Sequence, residues 1–233
     1  DDILAIDAGG LTSSLTFDAQ QKLKAILLTH QHYDHIRDIP LLAMNLFLQG
    51  ATISIYSILP VYEALTRHLL NGKLYPNFLQ TPPSQPTLSF TILEAYRGYQ
   101  IAGYDVLPVP VSHAVPTLGY QITSPEGKAL FYTGDTGPGL SDCWQHVSPE
   151  LLIVEVTAPD RYEEFGRESG HLTPVLLKQE LLDFRGAKGY LPPVVLVHMN
   201  PLLEAEIASE IETVAKYLQT PITLAAEGMT IHL

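Results

Sequence analysis

The aliphatic run Ala25-Ile26-Leu27-Leu28 leads directly into Thr29-His30-Gln31-His32-Tyr33-Asp34-His35. A short apolar run of this kind reads as a buried strand, which puts the histidines in the loop at its C-terminal end. Imidazole nitrogens and carboxylate oxygens are ligands for zinc, iron or manganese, and His30, His32, Asp34 and His35 offer them side by side. Their alternation lets His30 and His32 face one metal ion while Asp34 and His35 turn toward a second. The plainer reading is a histidine-rich solvated loop. It requires the pattern to arise by chance, and the candidate ligands further along the chain weigh against it.

Upstream, Ile3–Ile6 reads as a short strand closed by the turn Asp7-Ala8-Gly9-Gly10. Residues 1–7 look like the middle of a hairpin, which implies an upstream strand or leader. Downstream, Asp38 reads as a helix cap with Pro40 in the first turn. Leu41, Leu42, Met44, Leu46 and Leu48 then form an apolar helix ending near Gly50. Residues 52–56 are expected to be a strand and 60–70 a helix stopped by Asn71-Gly72, with His68 structural or on the surface. Residues 75–86 carry Pro76, Pro82, Pro83 and Pro86, too many for a helix or central strand, so a loop is expected.

Strand patterns resume at 88–93 and Tyr104–Val111, the second running into Ser112-His113. Residues 118–123 and 128–132 read as a hairpin around Ser124-Pro125-Glu126-Gly127. It leads into Thr133-Gly134-Asp135-Thr136-Gly137-Pro138, where flanking glycines allow a turn tight enough for one carboxylate to approach two metals. His146, near Trp144, fits no motif and reads as structural. A strand over 151–156 contains Glu155 and runs into Thr157. Ser169-Gly170-His171-Leu172-Thr173-Pro174 opens a helix to about Phe184, with Thr173 as N-cap and Pro174 at its first position. Val194–Val197 is a buried strand ending at His198, with Asn200-Pro201 beyond. Glu204–Leu218 is amphipathic, with Ile207, Ile211, Val214, Ala215 and Leu218 on one face. Residues 222–225 and 229–233 read as closing strands around Glu227-Gly228.

A strand followed by His-x-His-x-Asp-His resembles the signature of the metallo-β-lactamase superfamily of dinuclear metallohydrolases. The order Gly-Asp-Thr-Gly-Pro, Glu155-Val156-Thr157, Gly-His-Leu-Thr-Pro, His198-x-Asn200-Pro201 is similar to the branch of ribonuclease Z and the class II cyclic-nucleotide phosphodiesterases. The Gly-Asp-Thr-Gly-Pro and Gly-His-Leu-Thr-Pro pieces lean toward the phosphodiesterases. The resemblance covers nearly the whole chain. It implies one α/β (α+β) domain over 1–233, folded as a four-layer αββα sandwich with two sheets face to face and the metal loops at one edge. Strand-rich blocks followed by helices do occur twice, and no internal linker is long enough to separate domains.

Carried over position by position, the resemblance gives His30, His32 and His113 to one metal and Asp34, His35 and His198 to the other. Asp135 lies between them. Asp34, Glu155 and His171 are the implied catalytic residues, His171 as proton donor oriented by Glu155. Asp7 supports the site by hydrogen bonds, against the bland reading of a turn aspartate. The loop over 75–86 is either a substrate-facing wall or an ordinary surface connection. The lactamases have no bridging aspartate at the corresponding place, so antibiotic hydrolysis is not expected. The protruding basic arm of ribonuclease Z has no counterpart here, and the chain has less sequence before Asp7 than the class II phosphodiesterases.

Composition narrows the partners. With 233 residues and 46% hydrophobic content, the chain can bury one large core or two stacked halves. A net charge of -12 without a basic patch argues against gripping long nucleic acids. It leaves room for a small anionic substrate, because bound metal ions would dominate the local field. Cys143, the single cysteine, cannot form an intramolecular disulfide, which fits a reducing, cytoplasmic setting. No apolar run approaches the roughly 18 residues of a membrane span, and no signal-peptide pattern is present. The expected cofactors are two divalent metal ions, zinc first, with manganese and iron as alternatives. The expected activity is a phosphodiesterase acting on a small phosphodiester such as a cyclic nucleotide, through a metal-bridging hydroxide. A thioester or lactone hydrolase on the same site, and a non-catalytic metal-binding sensor, are the competing readings. A homodimer is compatible with all three.

Overall fold

A computed structural model describes residues 3–233; Asp1 and Asp2, at the head of the expected hairpin, lie outside the described residues. The chain divides into two compact units, residues 1–102 and 103–233.

The first unit begins with strand β1 (Ile3–Ile6), followed by the short helices α1 (Leu11–Ser14) and α2 (Phe17–Gln21) and strand β2 (Leu23–Leu27). Helix α3 (Tyr33–Ile36) holds the second half of the histidine motif and is followed by α4 (Ile39–Leu48). Strand β3 (Ile53–Ser57), helix α5 (Leu59–Ala64), β4 (Leu88–Ile92) and the short β5 (Tyr99–Ile101) complete it. Strands β1, β2, β3 and β4 are hydrogen-bonded in that order, every pair parallel. The described pairing of β1 is with β2 in parallel, across a crossover. Parallel strands have both faces covered, and their sequences are aliphatic for that reason. Ile26, Leu28, Ile53 and Ile55 pack in one core with Ile39, Leu42 and Leu46 of α4 and with Val61 and Leu65. Each such side chain taken wholly out of water contributes about 1.5–3 kcal/mol.

Two expectations here change in detail. The helix over 60–70 starts as α5 but finishes as a π-turn, Leu65–Leu69, with the Leu70 N–H bonding the Leu65 carbonyl at 2.7 Å. Asp38 stands at the head of α4, yet it does not cap the helix. Its carboxylate accepts the Thr12 backbone N–H at 2.7 Å and the Thr12 hydroxyl at 2.8 Å. His68 is exposed, and 75–86 forms no helix or strand, as expected.

The second unit runs β6 (Tyr104–Val111), β7 (Thr117–Thr123), β8 (Ala129–Tyr132), α6 (Ser141–His146), β9 (Leu151–Glu155), α7 (Glu163–Ser169), α8 (Pro174–Lys188), β10 (Val194–Val197), α9 (Glu204–Leu218) and β11 (Ile222–Leu224). Its strand order is β11-β10-β9-β8-β7-β6. The first four are mutually parallel, whereas β7 is antiparallel to both β8 and β6. Strands β6, β8, β9 and β10 therefore all run the same way and end at one edge. Val154, Leu196, Leu177, Leu181, Phe184, Ile207 and Ile211 share the core of this unit with Trp144. The apolar face expected of α9 is the buried one, with Ala215 at its margin. Thr173 stands at the N-cap of α8 without a side-chain cap bond, and the helix continues past Phe184 to Lys188. Residues 229–233 are not the strand their alternation suggested. They pair with no strand among the described residues, and Met229, Ile231 and Leu233 are exposed. His146 is exposed at the end of α6.

Candidate metal centre

In the first unit the register Ile6↔Leu27 brings the ends of β1 and β2 together, so Asp7 and the histidine loop share one sheet edge. Backbone bonds lace them: Ala8 N–H to the His35 carbonyl at 2.7 Å, and Asp38 N–H to the Ala8 carbonyl at 2.9 Å. Gly9 makes that closeness possible, because a Cβ there would sit 1.9 Å from the Asp34 carbonyl oxygen. Asp7 adopts φ 58°, a left-handed conformation that aspartate tolerates better than most side chains.

The Asp7 carboxylate is a support, as expected. It accepts His35 Nδ1 at 2.8 Å, the Thr29 backbone N–H at 2.8 Å and the Thr29 hydroxyl at 3.0 Å. That hydroxyl lies 2.9 Å from His30 Nδ1. Since it donates to Asp7, it accepts from His30. One buried carboxylate thus orients two imidazoles, His35 directly and His30 through Thr29. A carboxylate can only accept, so Nδ1 of His35 carries the proton and Nε2 carries the lone pair. The His30 ring centroid lies 4.6 Å from that of His32 and 4.2 Å from that of His35. His32 heads α3, and Asp34 and His35 follow in its first turn, with Asp34 Oδ2 at 3.5 Å from His35 Nε2.

The second unit repeats the scheme. Glu155 ends β9, fully buried, and His198 follows β10 directly, at φ 63°. Glu155 accepts His171 Nδ1 at 2.6 Å, Thr136 N–H at 2.9 Å, the Thr157 hydroxyl at 2.8 Å and Leu172 N–H at 3.3 Å. The Thr157 hydroxyl in turn lies 2.9 Å from His198 Nδ1. Four donors satisfy a carboxylate that burial would otherwise penalise by several kcal/mol. His113 donates Nδ1 to the Gly170 carbonyl at 2.7 Å. Gly137 lets these loops close, because a Cβ there would come within 2.9 Å of Gly170 Cα.

Ligand atoms of Asp135, His171 and His198 lie within 4.8 Å of one another. Asp135 Oδ2 is 3.3 Å from His198 Nε2 and 4.0 Å from His113 Nε2. The donor set fits divalent metals. In His30, His35, His113, His171 and His198, Nδ1 is held by the protein and Nε2 is left as the candidate ligand atom, the arrangement by which proteins orient and strengthen imidazole ligands. Every site residue expected from the sequence lies in one of these two clusters. Thr29 and Thr157 were not singled out, although both sit in the motifs. The signal was a hydroxyl one or two residues from a ligand or its supporting acid.

Fold and donor set together define a mixed α/β protein with two sheets and a histidine–aspartate ligand set at its strand ends. The family model for the beta-lactamase superfamily domain matches residues 10–199, and the chain belongs to that family. Ribonuclease Z from Pyrococcus abyssi (strain GE5 / Orsay) is 30% identical over 112 residues, which is 47% of this chain but only about a third (34%) of that protein's length. Unliganded yeast PDE1 superposes with a TM-score of 0.79 at 19% identity, covering 91% of this chain and 69% of that one. The short form of human tRNase Z gives 0.68 at 20% identity, covering 99% and 88%. At these identities the two structures establish the fold.

Proposed function

We propose that this chain is a dinuclear metal-dependent hydrolase acting on a small phosphodiester such as a cyclic nucleotide. The observation that carries the reading is the His171–Glu155 bond of 2.6 Å, beside Asp135 and His198. A carboxylate behind an imidazole also serves metal ligands, as Asp7 does for His35; what favours catalysis is the order of the motifs, which sets His171 apart from both ligand sets. In this reading His30, His32 and His113 hold one ion, Asp34, His35 and His198 the other, and Asp135 reaches both. Two bound cations would supply Lewis acidity and bring the pKa of water toward neutrality. The chain's own part is then to orient substrate and move a proton. Glu155 accepts from His171 Nδ1, and its charge favours the ring when Nε2 also carries a proton; that imidazolium would give the Nε2 proton to the departing alkoxide and return to the neutral ring.

Phosphodiester chemistry is favoured by the ribonuclease Z relative and by the order of the motifs from Asp135 to His198. A small substrate is favoured by the net charge of -12, since a long nucleic acid is bound largely by neutralised phosphates. The test is one panel, run with zinc, manganese and iron. It contains a 3′,5′-cyclic nucleotide, a nitrophenyl phosphodiester, a thioester, a lactone and a transfer-RNA precursor. The small phosphodiesters should be turned over best, with zinc foremost among the metals. Faster cleavage of the thioester or lactone would replace the reading with a carbonyl hydrolase, and faster cleavage of the RNA would end the small-substrate assignment.

A further inference from the structure

Beside the second cluster, Thr157, Ala158, Tyr162, Phe165, Asn200 and Leu203 line a hollow of about 300 Å³. That is the lower end of the range for small-molecule sites, enough for one ring system. Thr157 ties it to the chemistry, because this wall residue also bonds His198 and Glu155 through its hydroxyl. Two of its walls are large rings left in water: Tyr162 is 38% and Phe165 55% exposed, while Leu172 and Leu176 nearby are buried. The Tyr162 ring is held in place. The Arg161 guanidinium lies 4.7 Å over it and is clamped by Glu206 through two bonds of 3.0 Å. Asn200 uses its Oδ1 to accept the Leu202 backbone N–H at 3.0 Å, which orients the amide with its NH2 as the group that can donate to a ligand.

We infer that this hollow is a base-binding subsite. It takes the heteroaromatic ring of a nucleoside phosphodiester on Phe165 and Tyr162, with Asn200 donating to the ring's polar edge and the phosphodiester lying toward His171 and His198. Exposed, pre-positioned aromatic rings are how proteins hold unpaired bases, since every base has a π-face to stack. The inference deepens the phosphodiesterase reading and rests on it for the identity of the reacting group.

Two measurements test it. The first compares a 3′,5′-cyclic nucleotide with the same cyclic ribose phosphate carrying a methoxy group in place of the base. In Phe165→Ala the preference for the base-bearing substrate should fall roughly 5- to 100-fold, mostly through KM, and Phe165→Trp should restore it. Equal losses on both substrates overturn the subsite. The second titrates 2-aminopurine riboside monophosphate, whose fluorescence is quenched on stacking, into the metal-loaded protein and into Phe165→Ala. Quenching by the wild type, weakened by a similar factor in the variant, supports the subsite even if neither phosphodiester is hydrolysed, an outcome that removes only the phosphodiesterase reading. No quenching by the wild type, or equal quenching by both proteins, overturns the subsite whatever the enzyme hydrolyses.

Discussion

Thr157 places one hydroxyl between a buried carboxylate and the Nδ1 of a candidate ligand, as Thr29 does in the first unit. In Thr157→Val the shape is kept and the hydroxyl lost, leaving Glu155 with one donor fewer and His198 without its anchor. Loss of such an outer partner typically costs 10–100-fold in metal affinity or activity. We expect that loss in metal competition titrations of the variant, with the fold retained. An affinity equal to that of the wild type would show that His198 needs no orientation. His171→Ala separates proton donation from metal binding. It should keep its metals and lose about 10²–10⁴-fold on an alkyl-leaving phosphodiester, and much less on a nitrophenyl one, whose leaving group departs unprotonated. Loss of a metal would instead make His171 a ligand, in keeping with its closeness to Asp135 and His198. Glu155→Gln should follow the same pattern more weakly. All four of its neighbours donate, so the new amide N–H2 must face a donor. Cys143 stays outside this chemistry: it is buried, and burial pushes its thiol well up from the usual range.

At the scale of elements, the site depends on turns that bring strand ends into contact. The turn after β1 lies against the start of α3 with no room for a side chain at Gly9. The obstructing atom is a backbone carbonyl, which cannot swing aside as a side-chain tip would. Gly9→Ala should push the Asp34–His35 turn away from Asp7, breaking the bonds from Ala8 to His35 and from Asp38 to Ala8. We expect lower thermal stability together with at least tenfold weaker metal binding, read by unfolding scans with and without metal. Unchanged values for both would mean the turn is not what sets the histidine loop. The longer elements were legible from pattern. Tyr104–Val111 and Glu204–Leu218 carry their pattern over enough residues to define both ends, and Val194–Val197 is an unbroken aliphatic run closed by His198. Helices α1, α2, α6 and α7 were not legible, because each is too short to show a period. Residues 229–233 failed for the opposite reason: alternation defines a face, but a strand also needs a neighbour for its backbone groups, and none pairs with it among the described residues.

For the whole molecule the central expectation is two metal ions per chain. Protein reconstituted with excess zinc should give close to two equivalents by elemental analysis. Asp135→Ala should hold fewer and lose nearly all turnover, and a wild-type plateau at one equivalent would remove the bridging role of Asp135. Removing metal should also lower the unfolding temperature, since an ion at a hundred times its Kd stabilises by about 2.7 kcal/mol. The sequence by itself determined the donors, because ligand chemistry is written in residue type. Histidines and aspartates at the ends of aliphatic runs, with glycines flanking Asp135, are readable without coordinates. It also determined that the buried aliphatic runs become strands, though not that the exposed alternation at 229–233 does not. Only the tertiary structure decided which nitrogen of His30, His35, His113, His171 and His198 is held by the protein and which is left for a metal. That choice belongs to Asp7, Glu155, Thr29, Thr157 and the Gly170 carbonyl, residues as far as 57 positions from the ring they hold. Their reach depends on parallel strand register and on glycine contacts, which no local pattern encodes.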